Sequence, residues 1–309
     1  MNRLGSIGLA IIIVAATAVA GRGQFSYLNE DALSRLADNQ SASLDSVPVA
    51  SYRYYVVPES NRNWARQGLY RRVGHTSDSG RKELIQLLNR NFPPIESLSR
   101  GDTLVLPLDF EMDLRAYTPL PRRYEGAAAM EKLFVIDKTL QVFGAYEHGT
   151  LVRWGIVSTG GTDSPTPSGR FNFNWRQRER VSSLSPPGEE WRMYWVMNFH
   201  HERGIHVHQY PLPVGGPVSH GCVRTTEADA EWLFNWADTW RWRNEKLVSQ
   251  GTTVIVIGEE PTRPHPFAYT DEGPKLIPVD LPPDPMSVPP GTPQQKQFDR
   301  RRGVTASTN

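Results

Sequence analysis

The second half of the chain alternates short apolar runs with turn-forming residues, which is the pattern of a β-rich domain. Most of these runs are shorter than a core helix, and they are bounded by glycine, proline or small polar residues. The sequence therefore predicts a mainly β domain over residues 131–259. The predicted strands lie at residues 133–137, 141–143, 151–158, 194–199, 205–208 and 252–258.

One helix is predicted late in this domain. Thr226 followed by Asp229 fits a capping arrangement at a helix start, in which a side-chain oxygen accepts from a free backbone N–H. Trp232, Trp236 and Trp240 then recur at every fourth position, and residues at that spacing share one helix face. We interpret this aromatic stripe as a face turned toward the core.

An earlier segment, residues 51–110, predicts a small module of its own. A strand pattern is followed by leucines at helical spacing and by a second strand pattern, which indicates a β-helix-β unit. Leu88-Asn89 and residues 101–107 (GDTLVLP) resemble the second half of a LysM domain. The resemblance implies an α+β module that docks on glycan strands, and a small packing subdomain is the alternative.

The remaining segments are predicted to be targeting and connecting regions. Residues 1–20 combine a basic start, an apolar run and terminal small residues, which is typical of a signal peptide. An uncleaved membrane anchor is the alternative, and either form exports the rest of the chain. Residues 21–50 and 111–130 are predicted linkers, and the Pro-rich residues 260–309 are predicted to be disordered.

Composition narrows the class of partner. Lys and Arg number 34 against 33 Asp and Glu, so the formal net charge is only +1. No overall basic field therefore favours nucleic acid or an acidic partner. A hydrophobic fraction of 39% with 22% charged residues indicates a globular protein.

The candidate chemistry is concentrated between residues 200 and 222. Five of the eight histidines lie there and the single cysteine follows them. One unpaired cysteine in an exported chain is a candidate reactive thiol, because oxidising compartments favour paired cysteines. The residues are His200, His201, His206, His208, His220 and Cys222.

Three interpretations of this cluster are open. A neighbouring imidazole, helped by the helix start downstream, would activate Cys222 as a nucleophile. Alternatively, the histidines and the thiol supply the ligand types of a zinc site, although with less typical spacing. Core histidines around an inert buried thiol are the third interpretation, and they leave the clustering unexplained. The zinc set would be His206, His208, His220 and Cys222.

The run GIHVHQYPLPVGGPVSHGCVR at residues 204–224 resembles the signature of the L,D-transpeptidase (YkuD-like) family. Residues 164–173 (SPTPSGRFNF) and 251–258 (GTTVIVIG) resemble the loop and closing strand of the same family. The resemblance implies a β-sandwich with one or two short helices, preceded here by the LysM-like module. It also implies acyl transfer on peptidoglycan stem peptides. A thiolate attacks the carbonyl of the third residue, terminal D-Ala leaves, and an amine of a second stem resolves the thioester.

The resemblance assigns roles residue by residue. Cys222 is the nucleophile, and Gly221 with the Cys222 backbone matches the oxyanion region. His220 orients the loop and supports the thiolate. Ser219 and Arg224 hold the motif together, and Arg224 faces a substrate carboxylate.

The general base has two candidates. The strand register of the family histidine favours His208, whereas the common loop length favours His206. We prefer His208. The family's Gly or Ser after this histidine is replaced by Gln209.

The resulting prediction is an L,D-transpeptidase of the periplasm or cell envelope that uses no cofactor and no metal. Its partners would be peptidoglycan stem peptides and glycan strands. Nucleic acid is not predicted as a partner, and a membrane is one only if the N-terminal segment is uncleaved. An L,D-carboxypeptidase acting on the same stems and a non-catalytic wall-binding protein are the alternatives.

Overall fold

The computed structural model describes residues 30–38, 40, 43–57, 79–90, 100–213, 216–244, 246–260 and 266–302. The predicted signal peptide and the first part of the predicted linker lie outside these residues. Helix α1, Glu30–Asp38, lies within that linker and buries Leu33, Leu36 and Ala37. No helix among the described residues is long and apolar enough to cross a bilayer.

The N-terminal module has the predicted β-helix-β order. Strand β1 (Tyr52–Val56), helix α2 (Ser79–Leu88) and strand β2 (Thr103–Pro107) follow one another, and the two strands pair antiparallel. Asn89 fixes the helix end to β2, because its side chain both donates to and accepts from the Val105 backbone. The LysM identity of this module stays a prediction.

The rest of the chain is mainly β, as predicted from the sequence. In chain order the elements are β3 Lys132–Asp137, β4 Val142–Glu147, β5 Thr150–Ile156, β6 Gly169–Asn172, β7 Trp175–Val181, β8 Arg192–His200, β9 Ile205–Gln209, β10 Val223–Thr225, α3 Glu227–Trp236, β11 Arg241–Arg243, β12 Lys246–Ser249 and β13 Thr253–Ile257. One sheet has the strand order β5-β4-β3-β13-β6 and a second has the order β10-β9-β8-β7.

The two sheets enclose an aromatic and aliphatic core. Phe134 and Phe171 from the first sheet meet Phe199 and Val207 from the second, and all four are almost fully buried. Burial of side chains of this size stabilises the fold by roughly 1.5–3 kcal/mol each. The core therefore fixes the second sheet, whose outer face carries the histidines.

Helix α3 begins as predicted but ends earlier than predicted. The Thr226 hydroxyl accepts from the Asp229 N–H at the helix start. Because the helix ends at Trp236, Trp240 lies beyond it. Trp232 and Trp236 stack on each other at 5.0 Å and are only half-buried. Ala230 and Leu233 are fully buried on α3, and Trp232 and Trp236 pack as partly buried residues against the core that contains Leu233. The predicted core face is therefore confirmed for Trp232 and Trp236, and Trp240 is the exception.

The C-terminal residues 266–302 contradict the predicted disorder. They form the hairpin β14 (Phe267–Thr270) and β15 (Gly273–Leu276) and the helix α4 (Pro293–Arg302). Buried Phe267 packs edge-on against Tyr52, and Asp299 forms a buried two-point ion pair with Arg170. These two buried contacts with the rest of the chain therefore order a segment whose composition is typical of disorder.

We expect Asp229→Ala to lower the free energy of unfolding by about 3–5 kcal/mol, because it removes the buried carboxylate that pairs with the buried guanidinium of Arg153. Arg153 Nε donates to Asp229 at 2.7 Å, and the two side chains are 4% and 7% exposed. Asp38 pairs with the same arginine but is 63% exposed. Asp38→Ala is the matched control and should cost less than about 1 kcal/mol in urea unfolding. Equal losses in the two variants would contradict the argument.

Candidate active site

A cleft of about 170 Å³ opens on the outer face of the second sheet. It gathers almost every candidate residue taken from the sequence, although these are separated by up to 18 positions along the chain. Gly221 is buried in the loop that forms one side of the cleft. The predicted residues that line the cleft are Cys222, His208, His220, His206, Ser219 and Arg224.

Strand register places the histidines beside the cysteine loop. β9 and β10 pair in parallel, with Val207 opposite Val223 and His208 opposite Arg224. Because side chains alternate along a strand, the two valines face the core while His206 and His208 face the cleft. The shared face predicted for the two histidines is therefore observed.

The cysteine loop has a tightly defined backbone. Gly221 has φ +111, a conformation that side-chain-bearing residues rarely adopt. The Ser219 hydroxyl accepts from the Gly221 N–H at 3.1 Å and donates to the Cys222 carbonyl. Because the Gly221 N–H is thus occupied, Cys222 N–H is the remaining backbone donor of the pair assigned to the oxyanion region.

A second loop, residues 159–166, holds the cysteine loop in place. The Thr166 hydroxyl donates to the Gly221 carbonyl and accepts from the Gly160 N–H, each at 2.8 Å. The Ser164 hydroxyl donates to the His220 carbonyl at 2.9 Å. Ser219 bonds through its backbone to both Thr159 and Gly161. The nucleophile candidate is thus carried on a rigid support.

The Cys222 thiol is half-buried beside the start of β9. Its Sγ lies 3.9 Å from the Gly204 carbonyl. Burial raises the pKa of the thiol. A hydrogen bond from the backbone N–H of His206 and the positive charge of Arg224 lower it, but by less. The thiol therefore rests in its protonated form at neutral pH.

His208 carries its proton on Nδ1. Its Nδ1 lies 2.9 Å from the Gln209 carbonyl, and a carbonyl can only accept, so Nδ1 is the protonated nitrogen. Nε2 is then left with a free lone pair. Burial lowers the pKa of His208 to about 4. This imidazole is therefore neutral at pH 7 and able to take a proton.

His206 has the opposite tautomer. The Asn198 amide nitrogen donates to the carbonyl of Ile205 at 3.1 Å, which fixes the orientation of the amide. The same nitrogen lies 3.0 Å from His206 Nδ1, which must therefore accept, leaving the proton on Nε2. Burial lowers the pKa of His206 to about 3. This ring has no free lone pair to offer a thiol.

His220 plays a different part from the other two. Its side chain is exposed and stacks on Trp191 with ring centroids 5.7 Å apart. Trp191 immediately precedes β8 and also lines the cleft. The ring of His220 thus joins the cysteine loop to the segment that forms the opposite side of the cleft.

Sequence reasoning missed two residues that set up the site. Asn198 lies opposite His206 in the β8–β9 pairing and selects the His206 tautomer. Its only signal was a polar residue inside an apolar strand. Thr166 stood in a segment that resembled the family loop, but its hydrogen bonds to the cysteine loop became visible only in three dimensions.

The described side chains do not support the zinc interpretation. Within the described ranges, no group of three or more His, Cys, Asp and Glu side chains is placed to hold a metal ion. His206 Nδ1 and His208 Nδ1 both have protein partners.

The alkylation rate of Cys222 is expected to rise about tenfold per pH unit from pH 6 to pH 9, because only the thiolate reacts with iodoacetamide. The raised thiol pKa and the lowered His208 pKa give a neutral pair at rest. A thiolate–imidazolium pair would instead give a plateau through pH 6–7. Pseudo-first-order labelling rates, followed by intact mass, distinguish the two profiles.

Comparison with known proteins identifies the segment around this cleft. Residues 131–256 match the family model of YkuD, the L,D-transpeptidase catalytic domain, which confirms the resemblance found in the sequence. No curated protein matches the chain. The match covers the strands of both sheets and the cysteine loop.

Solved structures of L,D-transpeptidases are also similar. One from Mycobacterium smegmatis has 24% identity and a TM-score of 0.34, over 41% of this chain and 58% of that one. One from Stackebrandtia nassauensis has 22% identity and a TM-score of 0.35, over 43% and 58%. One from Mycobacterium tuberculosis H37Rv has 22% identity and a TM-score of 0.34, over 41% and 57%. The chain thus spans less than two thirds of the length of these relatives.

Proposed function

We propose that this chain is an L,D-transpeptidase that crosslinks peptidoglycan stem peptides through a Cys222 thioester. The observation that carries the proposal is that a protonated thiol and a neutral imidazole with one free lone pair line the same open cleft. A Cys–His pair of this kind performs acyl transfer. The match of residues 131–256 to the L,D-transpeptidase catalytic domain supports the same reaction.

The reaction proceeds in two acyl transfers. His208 Nε2 takes the Sγ proton as sulfur attacks the carbonyl of the third stem residue, and the imidazolium returns that proton to the departing amine of D-Ala. An amine of a second stem then attacks the thioester. It passes its proton to His208, and the thiolate leaves and is reprotonated.

The developing oxyanion is stabilised by backbone donors of the cysteine loop. Cys222 N–H is the principal candidate, because Ser219 already occupies the Gly221 N–H. The positive φ of Gly221 and the bond from Thr166 hold this peptide at a fixed angle to the sulfur. Such preorganisation removes the cost of turning dipoles during the reaction.

The setting proposed for this reaction is the periplasm or cell envelope, where stem peptides are found. The basic and apolar residues 1–20 support export. The β1-α2-β2 module is proposed to hold the catalytic domain near glycan strands.

Mass spectrometry of muropeptides after incubation with disaccharide-tetrapeptides tests the function. Three-to-three dimers with release of D-Ala are the expected products. Tripeptides without dimers would replace the proposal by an L,D-carboxypeptidase. An unchanged substrate pool, together with binding to intact sacculi, would favour a non-catalytic wall-binding protein.

A further inference from the structure

Cationic side chains line the cleft. Three arginines, Arg180, Arg203 and Arg224, stand among its lining residues, and within the part of the chain that the structure describes no aspartate or glutamate does. The charge of the chain as a whole is only +1, so this concentration is local. A cleft lined by one sign of charge attracts and orients a ligand of the other sign.

Arg180 lies on the side of the cleft beyond the histidines. It pairs with Met193 across β7 and β8, and both residues line the cleft. Its guanidinium stands over the Trp175 ring at 5.4 Å, and that ring contacts His206 at 5.1 Å. Stacking on an aromatic ring holds a guanidinium in place and leaves its N–H edge for a ligand.

Arg203 lies close to the cysteine loop. It precedes Gly204, whose carbonyl is 3.9 Å from Cys222 Sγ. One of its terminal nitrogens would lie 3.8 Å from a Cβ placed on Gly221. The two guanidinium groups therefore occupy different parts of the cleft, Arg180 beside Trp175 and Arg203 beside the cysteine loop.

We propose that Arg180 and Arg203 are specificity-determining residues that each recognise a different free carboxylate of the stem peptide. The inference rests on the proposed function and adds a substrate class, namely stems whose carboxylates are not amidated. Arginine suits this task because its planar fork matches a carboxylate with two parallel hydrogen bonds. An amide in the same position offers no negative charge and presents N–H groups to the guanidinium.

The test compares tetrapeptide stems with free carboxylates against stems amidated at one carboxylate at a time. Amidation should lower kcat/KM of the unaltered enzyme about 10- to 100-fold, mainly through KM, as expected when a charge-assisted hydrogen bond is lost. Arg180→Gln and Arg203→Gln should each lose the discrimination at one carboxylate. Arg178→Gln is the matched control, since Arg178 is also exposed on β7 but packs on Trp195 and is not among the lining residues of the cleft.

Equal rates with free and amidated stems in the unaltered enzyme would overturn this inference and leave the transpeptidase intact. Unchanged discrimination in both arginine variants would overturn it as well. Protection of Cys222 from iodoacetamide by the same peptides measures binding without turnover. A chain that binds free stems more tightly than amidated ones but makes no product would keep the inference and refute the proposed reaction.

Discussion

Replacement of Cys222 by alanine is expected to abolish dimer formation, lowering the rate by at least about 10⁴-fold, as when a covalent nucleophile is removed. The physical reason is that the thiol is the group that forms the acyl intermediate in the proposed reaction. Sγ makes weak contacts, including one of 3.9 Å with the Gly204 carbonyl, so the fold should be unaffected. Muropeptide analysis by mass spectrometry measures the loss.

The control for this variant is its thermal unfolding curve, which should match that of the unaltered chain. Cys222→Ser supplies a second comparison, because it keeps the shape of the site but replaces a readily ionised thiol with a hydroxyl. We expect it to be nearly as inactive as the alanine variant. Dimer formation within a few-fold of normal by either variant would place the nucleophile elsewhere.

The sequence alone was sufficient to predict which side chains the fold brings together in the cleft. A period of two along β9 places His206 and His208 on one face, because strand side chains alternate regardless of tertiary context. The Thr226 cap was also predictable, since capping depends on residues three apart. Both features are local, and local geometry follows from short stretches of sequence.

Features that depend on distant partners were not predictable. Asp299 orders the C-terminal helix only because Arg170 lies buried 129 positions earlier. The tautomer of His206 depends on Asn198, which β8 brings opposite it. Composition argued for a disordered tail, and strand register and loop length favoured different histidines as the base. The two rings are distinguished by their hydrogen bonds, one from Asn198 on the neighbouring strand to His206 and one from His208 to the carbonyl of the next residue.

The site combines a backbone held by several hydrogen bonds with a resting state in which the Cys222 thiol and the His208 imidazole are both uncharged. Burial raises the thiol pKa and lowers the pKa of His208 to about 4, so no ion pair forms in the free cleft at neutral pH. In the proposed reaction the thiolate forms only as sulfur attacks a bound carbonyl. A thiol at rest in its protonated form is also oxidised slowly, because oxidation needs the thiolate.

Exchange of His208 for glutamine should lower kcat/KM by about 10²- to 10⁴-fold, the range typical for loss of a general base. The same exchange at His206 should cost less than about tenfold, because its free nitrogen carries a proton and cannot accept the thiol's. Glutamine keeps much of the side-chain volume and its capacity for hydrogen bonding, so both variants should fold. Dimer formation at pH 7, measured beside unfolding curves, provides the comparison.

The pair of exchanges is decisive because both histidines are buried to a similar degree, 3% exposed for His206 and 4% for His208. A general loss of packing would therefore affect the two variants alike. A larger loss at His206 than at His208 would reverse the assignment of the base. It would mean that Asn198 turns its amide, or leaves His206, when a stem peptide binds. Asn198→Ala then becomes informative, since it should leave activity within about tenfold if His208 is the base.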